Sequence, residues 1–226
     1  MFSKEKQTAL FIGLFGLLFV AIGVGVGLIG SGGILEAAAK VEALPVIQSA
    51  RGFEDQAIGR EVLIEGQVGP ENEIILRQYV AYARDEYRGT DEDGDAIWRE
   101  DERITPALEI TLSDGIVRLA NEDYTLVGPL TRWQEPGALF WNGMTNDGTK
   151  RYDGIEVGST VTSVGLVVQG SEGPELAARF VAGGDRSAYL AEQRRGAETS
   201  RIVGAIMGGI GMLFVMIGLF IMLRSR

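Results

Sequence analysis

The chain has 226 residues, 46% of them hydrophobic, with 31 Asp+Glu against 21 Lys+Arg and neither cysteine nor histidine. Without Cys or His it can build no disulfide, thiolate nucleophile, zinc ribbon or RING-type zinc site, and it lacks the usual general base at neutral pH. Any catalysis would fall to Asp, Glu, Lys, Tyr or Ser, so a non-enzymatic role is expected, and neither a catalytic, cofactor-binding or metal-binding residue nor a cofactor is assigned.

After a short tail (residues 1–8), Ala9 to Leu35 is an uncharged apolar run. It is longer than the roughly 20 residues a helix needs to cross a bilayer, and longer than the apolar region of a secretory signal of about 7–15 residues. An uncleaved transmembrane helix is therefore expected at 9–35. A second uncharged run, Ile202 to Leu223, predicts another at 202–223, followed by the tail 224–226. Glycines recur every seventh position as Gly16, Gly23, Gly30 and Gly204, Gly211, Gly218, and Gly23/Gly27 and Gly204/Gly208 form GxxxG pairs. Such a seam lets helix backbones approach closely. Two readings stay open: the spans pack on each other, or copies of the chain assemble into a homo-oligomer.

Between the spans, residues 36–201 carry 17 Lys+Arg and 30 Asp+Glu, a net of −13. That surface excludes nucleic acid and anionic lipid headgroups as favoured partners. Acid-rich, Cys-free composition with 17 Arg against 4 Lys resembles proteins of salt-loving archaea. Leu35 to Leu44 predicts a helical extension that stops at Pro45. Val62-Leu63-Ile64 with Val68, and then Ile74-Ile75-Leu76, predict two short strands broken at Gly69-Pro70. Tyr79 to Tyr87 alternates more loosely, with Tyr79, Ala81 and Ala83 expected on one face and Tyr82 and Arg84 on the other. Leu108–Leu112 and Ile116–Leu119, joined at Ser113-Asp114-Gly115, predict a hairpin.

A short repeat, Gly59-x-x-Val62-x-x-x-Gly66-x-Val68, recurs as Gly158-x-x-Val161-x-x-x-Gly165-x-Val167. Glycine inside a strand permits the sharp coiling of small barrels. The repeat is either a duplicated half-barrel or two strands sharing one core, and the fold class expected is α+β: two transmembrane helices flanking an antiparallel, OB/barrel-like β domain. Asp185, after Gly183-Gly184, predicts the N-cap of a polar juxtamembrane helix over about 185–201, with Tyr189 and Leu190 as its apolar contacts and Gly196 as its weak point.

Two spans place both termini on one side. Lys4 and Lys6 against Lys40 favour a cytoplasmic N-terminus, whereas Arg194, Arg195 and Arg201 against Arg224 and Arg226 pull the other way. Because the first helix usually dominates, cytoplasmic termini and an extracytoplasmic central domain are expected.

The order of these segments resembles a known family. A span, a G-x-x-V-x-x-x-G-x-V strand, Gln78-Tyr-Val-Ala-Tyr-Ala-Arg84, Leu108-Glu-Ile-Thr-Leu-Ser-Asp-Gly-Ile-Val117, then Ile155-Glu-Val-Gly-Ser-Thr-Val-Thr-Ser-Val-Gly-Leu-Val167, a polar helix and a second span follow one another. Over about residues 40–223 this is similar to the membrane-proximal module of the mitochondrial RING-type ubiquitin ligases called MULAN or GIDE, and to its prokaryotic relatives. The resemblance implies a non-catalytic domain between two spans that binds or senses something at the membrane surface. It does not imply ubiquitin-ligase activity, since the Cys and His ligands a RING requires are missing and three residues follow Leu223. The expected function is a membrane-anchored interaction or scaffold module in contact with the bilayer and an unidentified membrane or surface protein. The alternatives are a homo-oligomeric pore or membrane-shaping protein, or a carboxylate-based surface hydrolase.

Three sets of residues bear on those choices. Asp91, Asp93 and Asp95 with Glu102 match positions of an EF-hand loop, but Ala96 stands where glycine is required, so the stretch 91–102 is read as a solvated loop between strands. Trp98, Trp133 and Trp141 are the tryptophans, the last two in a Gly/Pro-punctuated region, Gly128–Gly154, expected to be an irregular excursion that offers an aromatic contact surface. Asp147-Gly148 and Asp153-Gly154 are read as turns. Glu109 and Glu122 could be drawn as acid and base, though no spacing selects them.

Overall fold

The computed structural model describes residues 4–135 and 149–224. Trp141 and the turn expected at Asp147-Gly148 lie outside the described residues. Two compact units are formed, one by Val41–Leu190 and one by Met1–Lys40 with Ala191–Arg226.

In the second of these, proline-free apolar sequence forms α1, Lys4–Val24. The glycine-rich stretch Gly25–Gly30 widens into a π-helical turn, and α2 continues over Ser31–Ala43, ending short of Pro45. Ser31 is buried and its hydroxyl donates to the Gly27 carbonyl at 2.5 Å.

The globular unit begins with β1 (Val46–Ile47), then α3 (Ala50–Glu54), whose first turn is capped by Ser49 accepting from the Gly52 N–H. The strands that follow are β2 (Glu61–Val68), β3 (Tyr79–Thr90), β4 (Ala96–Ile104), β5 (Glu109–Thr111), β6 (Ile116–Arg118), β7 (Thr125–Val127), β8 (Thr131–Gln134), β9 (Lys150–Glu156), β10 (Thr160–Gln169) and β11 (Pro174–Gly183). One sheet has the order β6-β5-β2-β10-β11-β7, with β1 also on β2; the other is β4-β3-β9-β8. The molecule is thus α+β, with long apolar helices at its ends and two sheets between.

The sheets are not purely antiparallel. β1 pairs with β2, and β7 with β11, in parallel. β1 reaches β2 by a crossover through α3, the connection a parallel pair needs. Leu119, just past β6, also forms a parallel bridge to Leu176 of β11, and the Ala120 N–H donates to the Leu176 carbonyl at 2.9 Å. The hydrogen-bonded path β11-β10-β2-β5-β6 therefore returns to β11. Inside it lie Val62, Ile64, Ile110, Tyr124, Val161 and Val181, each at most 2% exposed.

The two copies of the glycine repeat are β2 and β10, and they pair with each other. Val62 faces Gly165 and Gly66 faces Val161. The hydrogen bonds obey the same local two-fold: Gly59 N–H to Val167 and Gly158 N–H to Val68 (2.7 and 2.9 Å), Val68 N–H to Ser159 and Val167 N–H to Arg60 (both 2.9 Å). Each interior glycine admits the next strand. A Cβ at Gly66 would lie 2.5 Å from the Thr111 carbonyl of β5, and one at Gly165 would strike the Ala177 carbonyl of β11, where the register also shifts. The repeat is therefore two strands sharing one core.

Four further expectations change. The stretch 91–102 is a loop only as far as Asp95, because Ala96–Ile104 pairs with β3 as β4. Ile74–Leu76 forms no strand, because the chain is tied down upstream by Asn72 and turns back at Leu76 to meet Tyr79. A bulge at Val80 breaks the alternation of β3. Tyr79 joins Tyr82 and Tyr152, while Ala81 turns into the main core. The region 128–154 forms strands at both described ends, β8 and β9, and Asp153-Gly154 lies within β9 instead of forming a turn, because it pairs with β3 on one side and β8 on the other.

The last helix, α4, runs unbroken over Arg186–Arg224, through Gly196. Asp185 caps it, its Oδ1 accepting from the Ala188 N–H at 2.8 Å. In its first turn Tyr189 stacks on Phe180, ring centroids 5.0 Å apart. Further along, the glycine seams of α1 and α4 meet. A Cβ at Gly16 would lie 2.6 Å from the Gly211 carbonyl, at Gly23 2.6 Å from that of Gly204, and at Gly218 2.8 Å from that of Ala9. The seam thus joins two helices of one chain; Gly30 stands apart from it.

Candidate functional site

The smaller sheet carries most of the side-chain chemistry. A bulge in the β3–β4 register at Arg84/Asp85 lets both Asp101 and Glu102 reach Arg84. Asp101 also accepts from Lys150 at 2.8 Å, and Lys150 and Arg88 flank the buried Glu86 at 3.2 and 2.6 Å. Burial works against the charged forms of Asp101 and Lys150. Hydrogen bonds overcome it: those from Arg84 and Lys150 hold the Asp101 carboxyl below its ordinary range, and those to Asp101 and Glu86 hold the Lys150 ammonium above its own. Both groups are fixed in their charged states at neutral pH, the opposite of what proton transfer needs. On the other face Arg151 grips Asp85 at 2.6 Å and lies 4.3 Å over the Trp98 ring.

Toward one end the charges give way to aromatic rings. Tyr79, Tyr82 and Tyr152 are buried together with Trp133 against them. Burial, then the hydrogen bond to Glu102 at 2.8 Å, pushes the Tyr82 phenol up to about 12. The Tyr79 hydroxyl donates to the Thr131 carbonyl at 3.2 Å.

Beside these rings runs an open groove of about 550 Å³ lined by Arg77, Gln78, Tyr79, Thr131, Arg132, Trp133 and Glu156. Arg77 occupies the turn between Leu76 and Tyr79 with φ 57°, the one non-glycine residue with positive φ among the described residues. Such a conformation is unfavourable for a side chain with Cβ and persists where its surroundings impose it. The guanidinium lies 4.3 Å over the Trp133 ring, which itself packs on Tyr152 at 5.1 Å. Arg132, on the same wall, is already spent on a two-pronged bond to Asp153 at 2.7 and 2.9 Å.

The other sequence candidates separate. Asp91 Oδ1 accepts from the Asp93 and Asp95 N–H groups, closing the β3–β4 turn, whereas Glu102 sits far along β4 on Tyr82 and Arg84. No group of three or more Asp or Glu poised for a metal occurs among the described residues. Glu109 is bound to Arg118 at 2.8 Å, and Glu122 acts through its carbonyl, accepting from Thr105. A second groove, of about 250 Å³ near Glu54 and Pro174, is acidic, and its Arg118 is bridged by both Glu109 and Glu172.

Sequence reasoning singled out Trp133 but not Arg77. The segment Leu76-Arg77-Gln78-Tyr79 contains none of the Gly, Asn or Asp residues that announce a positive φ. Compared with family models, with curated proteins and with solved structures, the chain matches none.

Proposed function

We propose that this chain is a two-span membrane protein holding an OB-like, GIDE-like β domain outside the cytoplasm. That domain acts as a non-catalytic interaction or scaffold module and meets its partner protein through the Arg77–Trp133 groove. The carrying observation is the groove: a strained, ring-stacked arginine beside a sheet whose neighbouring cations Arg84, Arg132 and Arg151 are already paired.

Other features support the remaining parts. The end helices cover Lys6–Ala43 and Arg186–Arg224, 38 and 39 residues, each long enough for a bilayer. Away from the glycine seam they turn out Phe11, Ile29 and Phe220, 71%, 75% and 64% exposed, a surface suited to lipid. The bridge at Leu119–Leu176 and the coiled β2–β10 pair favour the barrel reading. The absence of Cys and His from the sequence removes RING chemistry.

The test is a photo-crosslinking amino acid at Gln78 in native membranes, with alkaline carbonate extraction of the same membranes. A discrete heterologous adduct from a carbonate-resistant protein is expected. No adduct would refute the groove as a partner surface, and carbonate release would refute the membrane anchor.

A further inference from the structure

We infer that the Arg77–Trp133 groove reads a carboxylate on a peptide: Arg77 takes the acid of a side chain or chain terminus, and Trp133 covers the apolar residue beside it. This rests on the groove being the partner surface proposed above, and not on membrane insertion.

A guanidinium presents five N–H groups in a fork that matches a carboxylate. Arg84, Arg132 and Arg151 each use that fork on an Asp of the same sheet. Arg77 meets a ring and no oxygen acceptor among the described residues. The turn fixes its backbone between Leu76 and Tyr79, and its exposed guanidinium rests on a ring that packs on Tyr152. A ring-stacked cation with no acceptor from its own chain is placed to receive an acid.

Charge and size narrow the ligand. The segment 36–201 carries a net of −13, so a bare anion is repelled at long range and needs further contacts to stay. A groove of about 550 Å³ supplies them for a few residues of peptide. The Trp133 ring offers an apolar wall, Gln78 a two-way amide for peptide backbone, and Glu156 an acceptor for an N–H or ammonium. Arg132, neutralised by Asp153, adds no competing pull.

The test titrates detergent-purified full-length protein, by calorimetry, with three peptides. These are acetyl-Gly-Asp-Phe-amide, acetyl-Gly-Asn-Phe with a free terminal carboxylate, and acetyl-Gly-Asn-Phe-amide. One or both acids should bind at least roughly tenfold more tightly than the neutral peptide, the binding arm telling side chain from terminus. Arg77→Gly should lose that preference while melting no lower than wild type, since glycine relieves the positive φ. Arg77→Lys should retain part of the preference, and Arg118→Gln, in the acidic groove, all of it. Equal binding of the neutral peptide, unaltered binding by Arg77→Gly, or inorganic phosphate binding as tightly as the peptides would overturn the inference. Should Gln78 crosslink a partner while no acid peptide binds, the surface stands and the carboxylate chemistry falls.

Discussion

At the scale of single residues, two asparagines stand in for missing strand. Asn72 donates to the carbonyls of Gly69 and Glu109 and accepts from the Glu109 N–H, at 2.8–2.9 Å. Asn121 does the same for both backbone groups of Ala178. In sequence each reads as an ordinary loop polar residue, since its partner lies far off in the chain. Asn72→Ala should cost about 1–3 kcal/mol, because it strands a backbone donor and acceptor of β5, and Asn121→Asp should cost no less, because a carboxylate oxygen then faces the Ala178 carbonyl and the Asp123 carboxylate. Thermal melts of the purified protein read both. Asp101 makes a pH prediction. Its carboxyl is held low, so its contribution is present above the ordinary carboxylate range and lost as pH falls through the lowered value. The Lys150 ammonium is held high, so its share is present below the ordinary lysine range and lost as pH rises through the raised value. In a melting-temperature profile, Asp101→Asn should flatten the acid limb; an acid limb as steep as in wild type would mean other carboxylates govern it.

At the scale of elements, what could be read in the sequence depended on how each strand meets water. The hairpin of β5 and β6 was legible because Ile110 and Val117 are buried while their neighbours are not, and Ser113-Asp114-Gly115 marks the turn. The helix cap at Asp185 was legible for a similar local reason. β4 and β8 were not, since both lie at sheet edges with most residues in water, and Arg99–Arg103 carries charge on both faces. Nor were the parallel pairings of β1 and β7, which depend on distant partners. The candidate groove was half legible, through Trp133, because its other half is a backbone angle. The repeat glycines were visible as a pattern, and the pairing of β2 with β10 explains them. Gly165→Ala should destabilise the domain by about 1–3 kcal/mol through overpacking against Ala177. Gly196→Ala, at a position where an added Cβ meets nothing within 4 Å, should leave melting unchanged or raise it. Parallel melts of the two variants check the contrast.

At the scale of the molecule, the glycine seam predicts how the ends associate. Phe15 and Phe214 lie edge to face across it, centroids 5.7 Å apart. In a chain with no native cysteine, Phe15→Cys with Phe214→Cys should oxidise within one chain, giving a faster-migrating monomer on a non-reducing gel. A ladder of linked dimers would instead place the seam between copies. The pairing of β2 with β10, and of α1 with α4, also sets a timetable for a chain emerging from the ribosome. The mate of β2 is made roughly a hundred residues later, and at about 5–20 residues per second the delay is on the order of ten seconds. Throughout it Val62, Leu63 and Ile64, fully buried in the finished protein, have only β1 and then β5 beside their strand. The nascent chain therefore exposes apolar strand that the mature protein buries, and a pause in translation before Thr160 leaves the β10 side of the central strand and the first helix both waiting for partners not yet made.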